Sequence, residues 1–512
     1  MKPRTRSSQS NVFLPLILTW LAAYAASGGV AAVAADESTA EKLAADESAA
    51  RPRADDSQTP YVRISPRDSR YLELSDGTPY IPNGLNMIHP RGAVSSEEGL
   101  AQMEQWIEAL AEHGGNFLRI WMSSGFWDPE HEQAGVFDEQ RAKRIDALLE
   151  LARRYGIRVK ITIEHFREID PGNVRQSWAA KPLHHVSRGG TARDMADWLA
   201  NEPSRAAFRR KLDWLQKRFG DQPLVFGWEL WNEINAVRGG DYLAWSEAML
   251  PELKRRFPKN LSLQSLGSYD SDWASAPYQR LCHLPHNDLA QVHRYLDLGA
   301  RLPVCHGPVD VLAADAVRQL LATDCGRPVI LAESGAVEPR HTGPFKLYAR
   351  DRAGIILHDV LFAPFFAGAA GAGQCWHWGE YVDQNKLWHQ FRAFADTVQG
   401  IDPAAEGFQP LMIQHPRLRI YALRGERTSL LWCRDRENTW QTELEQGLAP
   451  QELRDVVVPL HEVLPRAGST ARVYDPWKKI WTEAAIVDGE LRLPAFARSI
   501  VLRVTHSIRR QN

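Results

Sequence analysis

Two rhythms of apolar residues follow one another along the chain. From residue 80 to about residue 400, short apolar or β-branched runs alternate with longer stretches in which apolar residues return every third or fourth position. The short runs fall at 80–87, 117–122, 158–164, 224–231, 261–266, 289–293, 329–333 and 373–378. The amphipathic stretches at 97–112, 139–155, 204–219, 242–257, 309–323 and 345–366 predict helices between them. The fifth connection, 267–288, holds turn residues and aromatics more than a helical pattern. Eight strands with helical crossovers predict an α/β fold, a parallel (β/α)8 TIM barrel over residues 61–400. Ahead of it, Ser75-Asp76-Gly77-Thr78 predicts a hairpin with an Asp-Gly turn. Past Asp402 the helical rhythm stops. Runs at 418–423, 428–433, 456–459, 471–474, 490–493 and 500–504 alternate or stay apolar with turns between, which predicts a small C-terminal antiparallel β-sandwich over residues 401–508.

The amino terminus follows neither rhythm. A basic start is followed by an apolar run from Val12 to Ala35 that ends in Ala32-Val33-Ala34-Ala35, as a secretory signal does. Residues 1–35 are therefore expected to direct export and be removed; left uncleaved, the run is long enough to cross a bilayer. Residues 36–60 are rich in Ala, Glu, Asp and Ser, with Ala-Asp-Glu-Ser at Ala35 and again at Ala45, and are expected to be a disordered linker. Composition changes the picture in three ways. The chain's 512 residues exceed the ~250–300 that one core serves, which fits a barrel and a second folded part. A net charge of -2 gives no field to gather nucleic acid or an anionic membrane, so a neutral partner is expected and, after signal cleavage, no membrane. Five cysteines without a CxxC spacing argue against thiolate metal binding and leave room for at most one disulfide among Cys282, Cys305 and Cys325.

In a barrel of this kind the working side chains sit at the carboxyl ends of the strands. The fourth run ends in Trp228-Glu229-Leu230-Trp231-Asn232-Glu233, the seventh in Ala332-Glu333-Ser334-Gly335 and the eighth in Cys375-Trp376-His377-Trp378. Glu233 and Glu333 are far apart in sequence, yet strands four and seven open on one mouth, so both carboxyls can meet there. Such a pair can divide proton transfer and nucleophilic attack between them.

Through Trp231-Asn232-Glu233 and Glu333 the chain resembles glycoside hydrolase clan A, and within it the family 5 cellulase and mannanase group, over roughly residues 71–400. The resemblance implies retaining hydrolysis of a β-linked sugar in a polysaccharide or oligosaccharide of the mannan or glucan class. It also implies no metal and no organic cofactor. Glu233 is then the acid/base and Glu333 the nucleophile, with Asn232 at the 2-hydroxyl of the reacting sugar. The same resemblance points to Arg119, His165, His293, Tyr295, Trp376 and Trp378 as substrate-site residues. Physically, Arg119 would keep Glu333 ionised, Tyr295 would orient it, and a strand-eight indole would lie flat under a sugar ring. The pattern departs from the family's at Ile234, where proline is usual, and at Glu-Ser-Gly, where Glu-Phe-Gly is commoner.

Blander readings stand beside these. An Asn-Glu pair can be a helix cap, and a core histidine bonded to backbone looks like His293 from sequence. Glu229, deeper in strand four, reads as a buried, paired structural carboxylate. Glu164, His377, Glu380 and Asp383 are weaker candidates for the cleft. Trp121, Phe126 and Trp127 read as either a sugar platform or loop packing. His184 and His185 with Glu168 and Asp170 lack ligand spacing and read as a solvated loop. The C-terminal strands read as a stabilising cap more than a separate sugar-binding module. A carbohydrate-binding barrel without turnover is the competing reading of the whole; the presence of both carboxyls argues against it.

Overall fold

A computed structural model describes residues 59–165, 169, 182–237, 239–463 and 468–506. The expected signal and most of the expected linker lie outside the described residues. Strands β1 (Gly84–Asn86), β2 (Phe117–Trp121), β3 (Arg158–His165), β4 (Val225–Asn232) and β5 (Leu261–Leu263) form one parallel sheet in that order. Strands β6 (Ala290–His293) and β7 (Val329–Glu333) pair in parallel. The eighth stave is an extended segment through Cys375, bridged in parallel to Leu85 of β1 and to Ser334 just past β7. Asn86 N–H donates to Cys375 O (3.0 Å) and Gln374 N–H to Leu331 O (2.9 Å). The β5–β6 seam is held by Asp288 N–H to Ser262 O (2.8 Å) and the Gln291 amide to Gln264 O (3.1 Å). The result is the (β/α)8 barrel.

The helices around it begin where side chains satisfy their free N–H groups. Ser95 caps α1 (Ser96–Glu112), Asp138 caps α2 (Glu139–Tyr155), Asn201 caps α3 (Glu202–Phe219) and Asp241 caps α4 (Tyr242–Arg256). The fifth connection, expected to lack a clear helix, contains α5 (Ser275–His283). Its apolar face is short: Tyr278, Leu281 and Cys282 are buried at helical spacing, diluted by Gln279 and Arg280. Next comes α6 (Val309–Leu321). The stretch expected to be helical from residue 345 starts as α7 only at Ile355, because Gly354 has φ +77° and the Asp351 carboxylate accepts the N–H groups of Gly354, Ile355 and Ile356. The first predicted run also divides, since Pro82 has no N–H for a ladder: Pro79–Tyr80 closes the Asp76-Gly77 hairpin with Leu72–Leu74, and β1 begins at Gly84. Val62, Leu72 and Tyr80 pack with Phe117, Phe226, Leu261 and Ile330, so the hairpin plugs the amino-terminal end of the barrel, opposite the mouth.

Beyond the barrel lies a six-stranded antiparallel sheet in the order Gln409–Ile413, Leu418–Arg424, Thr428–Asp435, Ser499–Thr505, Thr470–Asp475, Ile480–Ala484. Alternation gives it two apolar faces. Tyr421, Leu423, Leu430, Trp432 and Val501 join the barrel core, with Trp432 against Phe362 of α7 (ring centroids 5.7 Å). Ile420, Ala422, Leu431, Cys433 and Ile500 face the small sheet of Val457–Pro459, Ile486–Val487 and Glu490–Arg492. All five cysteines are free thiols, so the disulfide allowed for by the sequence is not formed.

Buried charge ties the sheet to the barrel. Asp310 of α6 accepts from Arg419 (2.5 and 2.8 Å) and from the Tyr421 hydroxyl (2.8 Å), and its side chain is fully buried. Asp310→Ala leaves Arg419 without its counter-ion in an apolar seam and is expected to cost about 3–5 kcal/mol. Denaturant unfolding checks this; a loss of under about 1 kcal/mol would show the seam to be solvated.

Candidate active site

Arg119, at the third position of β2, is fully buried in the barrel and organises the mouth. Its Nη2 donates to Glu229 (2.5 Å) and to Asn232 Oδ1 (2.7 Å), its Nε to Thr162 Oγ1 and Glu229 (both 3.0 Å), and its Nη1 to Asn86 Oδ1 (3.3 Å) and to Glu333 Oε1. Five positions on four other strands are thereby fixed by one guanidinium, whose fork suits carboxylates on two sides. The Tyr295 hydroxyl donates to the other Glu333 oxygen (2.8 Å).

Glu233 follows β4 in a left-handed conformation (φ 46°, ψ 52°), a strained state for a residue with a Cβ. Its N–H donates to Ser265 Oγ (3.1 Å), and the next N–H, of Ile234, donates to Ser265 O (3.3 Å). A proline at 234 would lack that second donor, so the departure from the family pattern is used to hold the turn. The turn aims the Glu233 carboxyl at His293 Nδ1 (2.8 Å), which lies 3.4 Å from Glu333 as well. Oxygens of Glu233 and Glu333 and a His293 nitrogen all lie within 4.8 Å of one another.

The two carboxyls differ in their surroundings. Burial, then the Glu333 charge, raises Glu233 well above the usual carboxylate range. Burial raises Glu333 as well, but the Arg119 charge and hydrogen bonds from Arg119 and Tyr295 oppose it, so the proton the pair shares sits on Glu233. Tyr295 stays a donor, its phenol pushed up by burial and by Glu333. Burial, then Arg119, keeps the His293 imidazole neutral. Glu229 is held well below the usual range: against burial, Arg119 and Lys160 keep it ionised.

Around this centre, His165 stacks on Trp121 (4.6 Å) and meets Ser123 Oγ through Nδ1 (2.6 Å), while Trp121 packs on Trp376 (4.9 Å). Trp376 is partly exposed; Trp378 is buried in the wall, edge-on to Trp106 and His89. Trp127 donates its indole N–H to Ile88 O (3.0 Å), and Phe126 sits under Arg144, so both are loop packing. Glu164 pairs with Lys211, and His377 meets the Tyr348 hydroxyl (3.1 Å). Glu380 pairs with Arg91 and Asp383 with Lys386. His184 is buried, not part of a solvated loop, and groups with Glu130 and Glu164; Glu168 and Asp170 lie outside the described residues. Two sets among the described residues have ligand-like spacing, Glu130/Glu164/His184 and Glu233/His293/Glu333. Each already has a cation against it, Lys211 at 3.0 Å from Glu130 and Arg119 on Glu333, which disfavours a metal dication in either. Sequence reasoning missed Asn86, which a strand-end rule finds once β1 is placed, and Ser265 and Lys160, which carry no local signal.

Residues 77–351 match the family model described as cellulase (glycosyl hydrolase family 5). The chain belongs to glycosyl hydrolase family 5. Among curated relatives, mannan endo-1,4-beta-mannosidase 3 of Oryza sativa subsp. japonica is 28% identical over 197 residues, 35% of this chain and 42% of that protein, so the match spans under half of that relative's length. Mannan endo-1,4-beta-mannosidase 4 of the same plant is 22% identical over 380 residues, 67% of this chain and 78% of the relative. A solved glycoside hydrolase aligns with a TM-score of 0.55 at 14% identity, covering 87% of this chain and 97% of its own. A family 5 structure from Bacteroides vulgatus gives 0.53 at 12%, covering 87% and 93%. At these identities the structural likeness speaks for the fold that family 5 membership implies.

Proposed function

We propose that this family 5 glycoside hydrolase cleaves the backbone of a β-linked mannan with retention, by double displacement. Glu333 attacks the anomeric carbon while Glu233 protonates the departing oxygen; water then enters, Glu233 takes its proton, and the glycosyl ester on Glu333 is released. The observation that carries the reading is the pair of carboxyl groups with oxygens within 4.8 Å, near the ~5–5.5 Å separation of retaining enzymes, in environments that place the proton on Glu233. Asn232 Nδ2 is buried with no partner among the described residues, which suits it to a sugar hydroxyl. Trp376, backed by Trp121 and His165, supplies a flat face for the ring. The mannan preference rests on the names of the plant relatives, and export on the N-terminal apolar segment.

The test is hydrolysis of a mannan, glucan and xylan panel with NMR of the first product formed. A β-anomer released first, with mannan favoured by about tenfold or more in kcat/KM, is expected. An α-anomer released first would exclude double displacement, and no product from any β-glycan would end the hydrolase reading. The pH dependence of kcat/KM is expected to be a bell. Its acid limb appears as Glu333 takes up a proton, and its basic limb, above the usual carboxylate range, as Glu233 loses one. A profile without a basic limb would remove Glu233 as the acid.

A further inference from the structure

Lys160 is a fully buried ammonium inside the barrel, below the two carboxyls, and nothing in the reaction as written uses it. It sits on β3 in register with Arg119 of β2 and Gly227 of β4. Its Nζ crosses the interior to the Gln291 side-chain oxygen on β6 and lies 3.5 Å from Glu229 Oε1 on β4. Glu229 in turn accepts from Arg119, Thr162 and the Gln291 amide (3.3 Å), and Arg119 continues to Glu333. The buried charges facing this chain are therefore Lys160 and Arg119 against Glu229 and Glu333, with Glu233 and His293 neutral above them. Two positive and two negative charges balance; without Lys160, Arg119 alone would face two carboxylates, and one of them would take up a proton at higher pH.

We propose that Lys160 is a positioning residue of the reaction: its ammonium neutralises Glu229, which leaves the Arg119 charge to hold Glu333 as a carboxylate. Burial draws the lysine down to about 7, with Glu229 opposing, so it is charged in the acidic range where the nucleophile has to ionise. The inference rests on the roles given above to Glu333 and Glu233. A merely structural lysine would, when replaced, lower activity at every pH alike. An electrostatic one moves the acid limb of kcat/KM, and a second change that restores the balance moves it back.

Lys160→Met is expected to shift the acid limb upward by about one pH unit, and Glu229→Gln to shift it downward. The Lys160→Met/Glu229→Gln double variant, one positive charge against one negative, is expected to return it to within about 0.3 unit of the wild type. Folding is followed by circular dichroism. An unmoved limb in Lys160→Met, or a double variant as displaced as the single, overturns the proposal. Should Lys160→Met not fold, an acid limb unmoved in Glu229→Gln overturns it equally. Glu333→Gln separates the two levels: full turnover there removes the site reading itself, whereas an inactive Glu333→Gln with a stationary limb in Lys160→Met removes only the role of the lysine.

Discussion

Glu333→Gln is expected to lower kcat on mannan by on the order of 10⁴-fold or more while the protein stays folded. The amide oxygen can still accept from Arg119, and the NH2 group that replaces the second oxygen can donate to the Tyr295 hydroxyl oxygen, so both contacts that fix the residue remain, one of them with its direction reversed. What is lost is the negative charge that attacks the anomeric carbon, and water at the same place supplies no covalent intermediate. Removing that charge also relieves the pressure on Glu233, which is raised by burial and then by Glu333. A titration of Glu233 in the variant should therefore fall back toward the ordinary carboxylate range, still held up by burial. Initial rates from reducing-end release and a thermal melt test the prediction together. A folded variant within about tenfold of wild-type kcat would show that Glu333 does not carry the bond-forming step.

Much of this centre was legible because a parallel barrel turns sequence position into spatial position. Strand ends can be read from where an apolar run stops, and all strand ends on one side open on one mouth. Asn232, Glu233 and Glu333 stand at such strand ends, while Arg119, His293 and Tyr295 are implied by the family resemblance, and the structure brings all six into one hydrogen-bonded group. The rule worked less well wherever the chain leaves the strand. Trp376 and Trp378 share parity, yet the backbone enters a wide helical turn at Trp378–Asp383, which rotates the second indole into the wall. Asn86 lies one residue inside the predicted end of the first run; Pro82 moves the start of β1 to Gly84 and leaves its end in place, and a lone asparagine within an apolar run carries no signal of its own. Ser265, Gln291 and Lys160 act on residues of other staves, far away in sequence, and no local pattern announces such contacts. The left-handed turn at Glu233 is of the same kind: it depends on Ser265, from the following stave.

Glu233→Ala is expected to separate proton donation from attack. On mannan, whose leaving group is a sugar hydroxyl that needs a proton, kcat should fall by on the order of 10³–10⁴-fold. On an aryl mannoside with an acidic phenol the first displacement needs little protonation, so that step should keep most of its rate and the glycosyl-enzyme should accumulate as a burst of phenol. The second displacement still lacks its base. Azide, a nucleophile that needs none, should restore turnover and yield a β-mannosyl azide, because Glu333 leaves by inversion of an α-linked ester. The basic limb of the pH profile should vanish with the carboxyl that causes it. The geometry gives this variant room: the Glu233 side chain is 15% exposed at the mouth, so truncation opens a space that solvent anions can reach. Loss of rate that is equal for phenol and sugar leaving groups, with no rescue by azide, would assign Glu233 to substrate binding instead of proton transfer. An α-mannosyl azide would mean that the anion attacks the substrate directly and that no ester forms on Glu333.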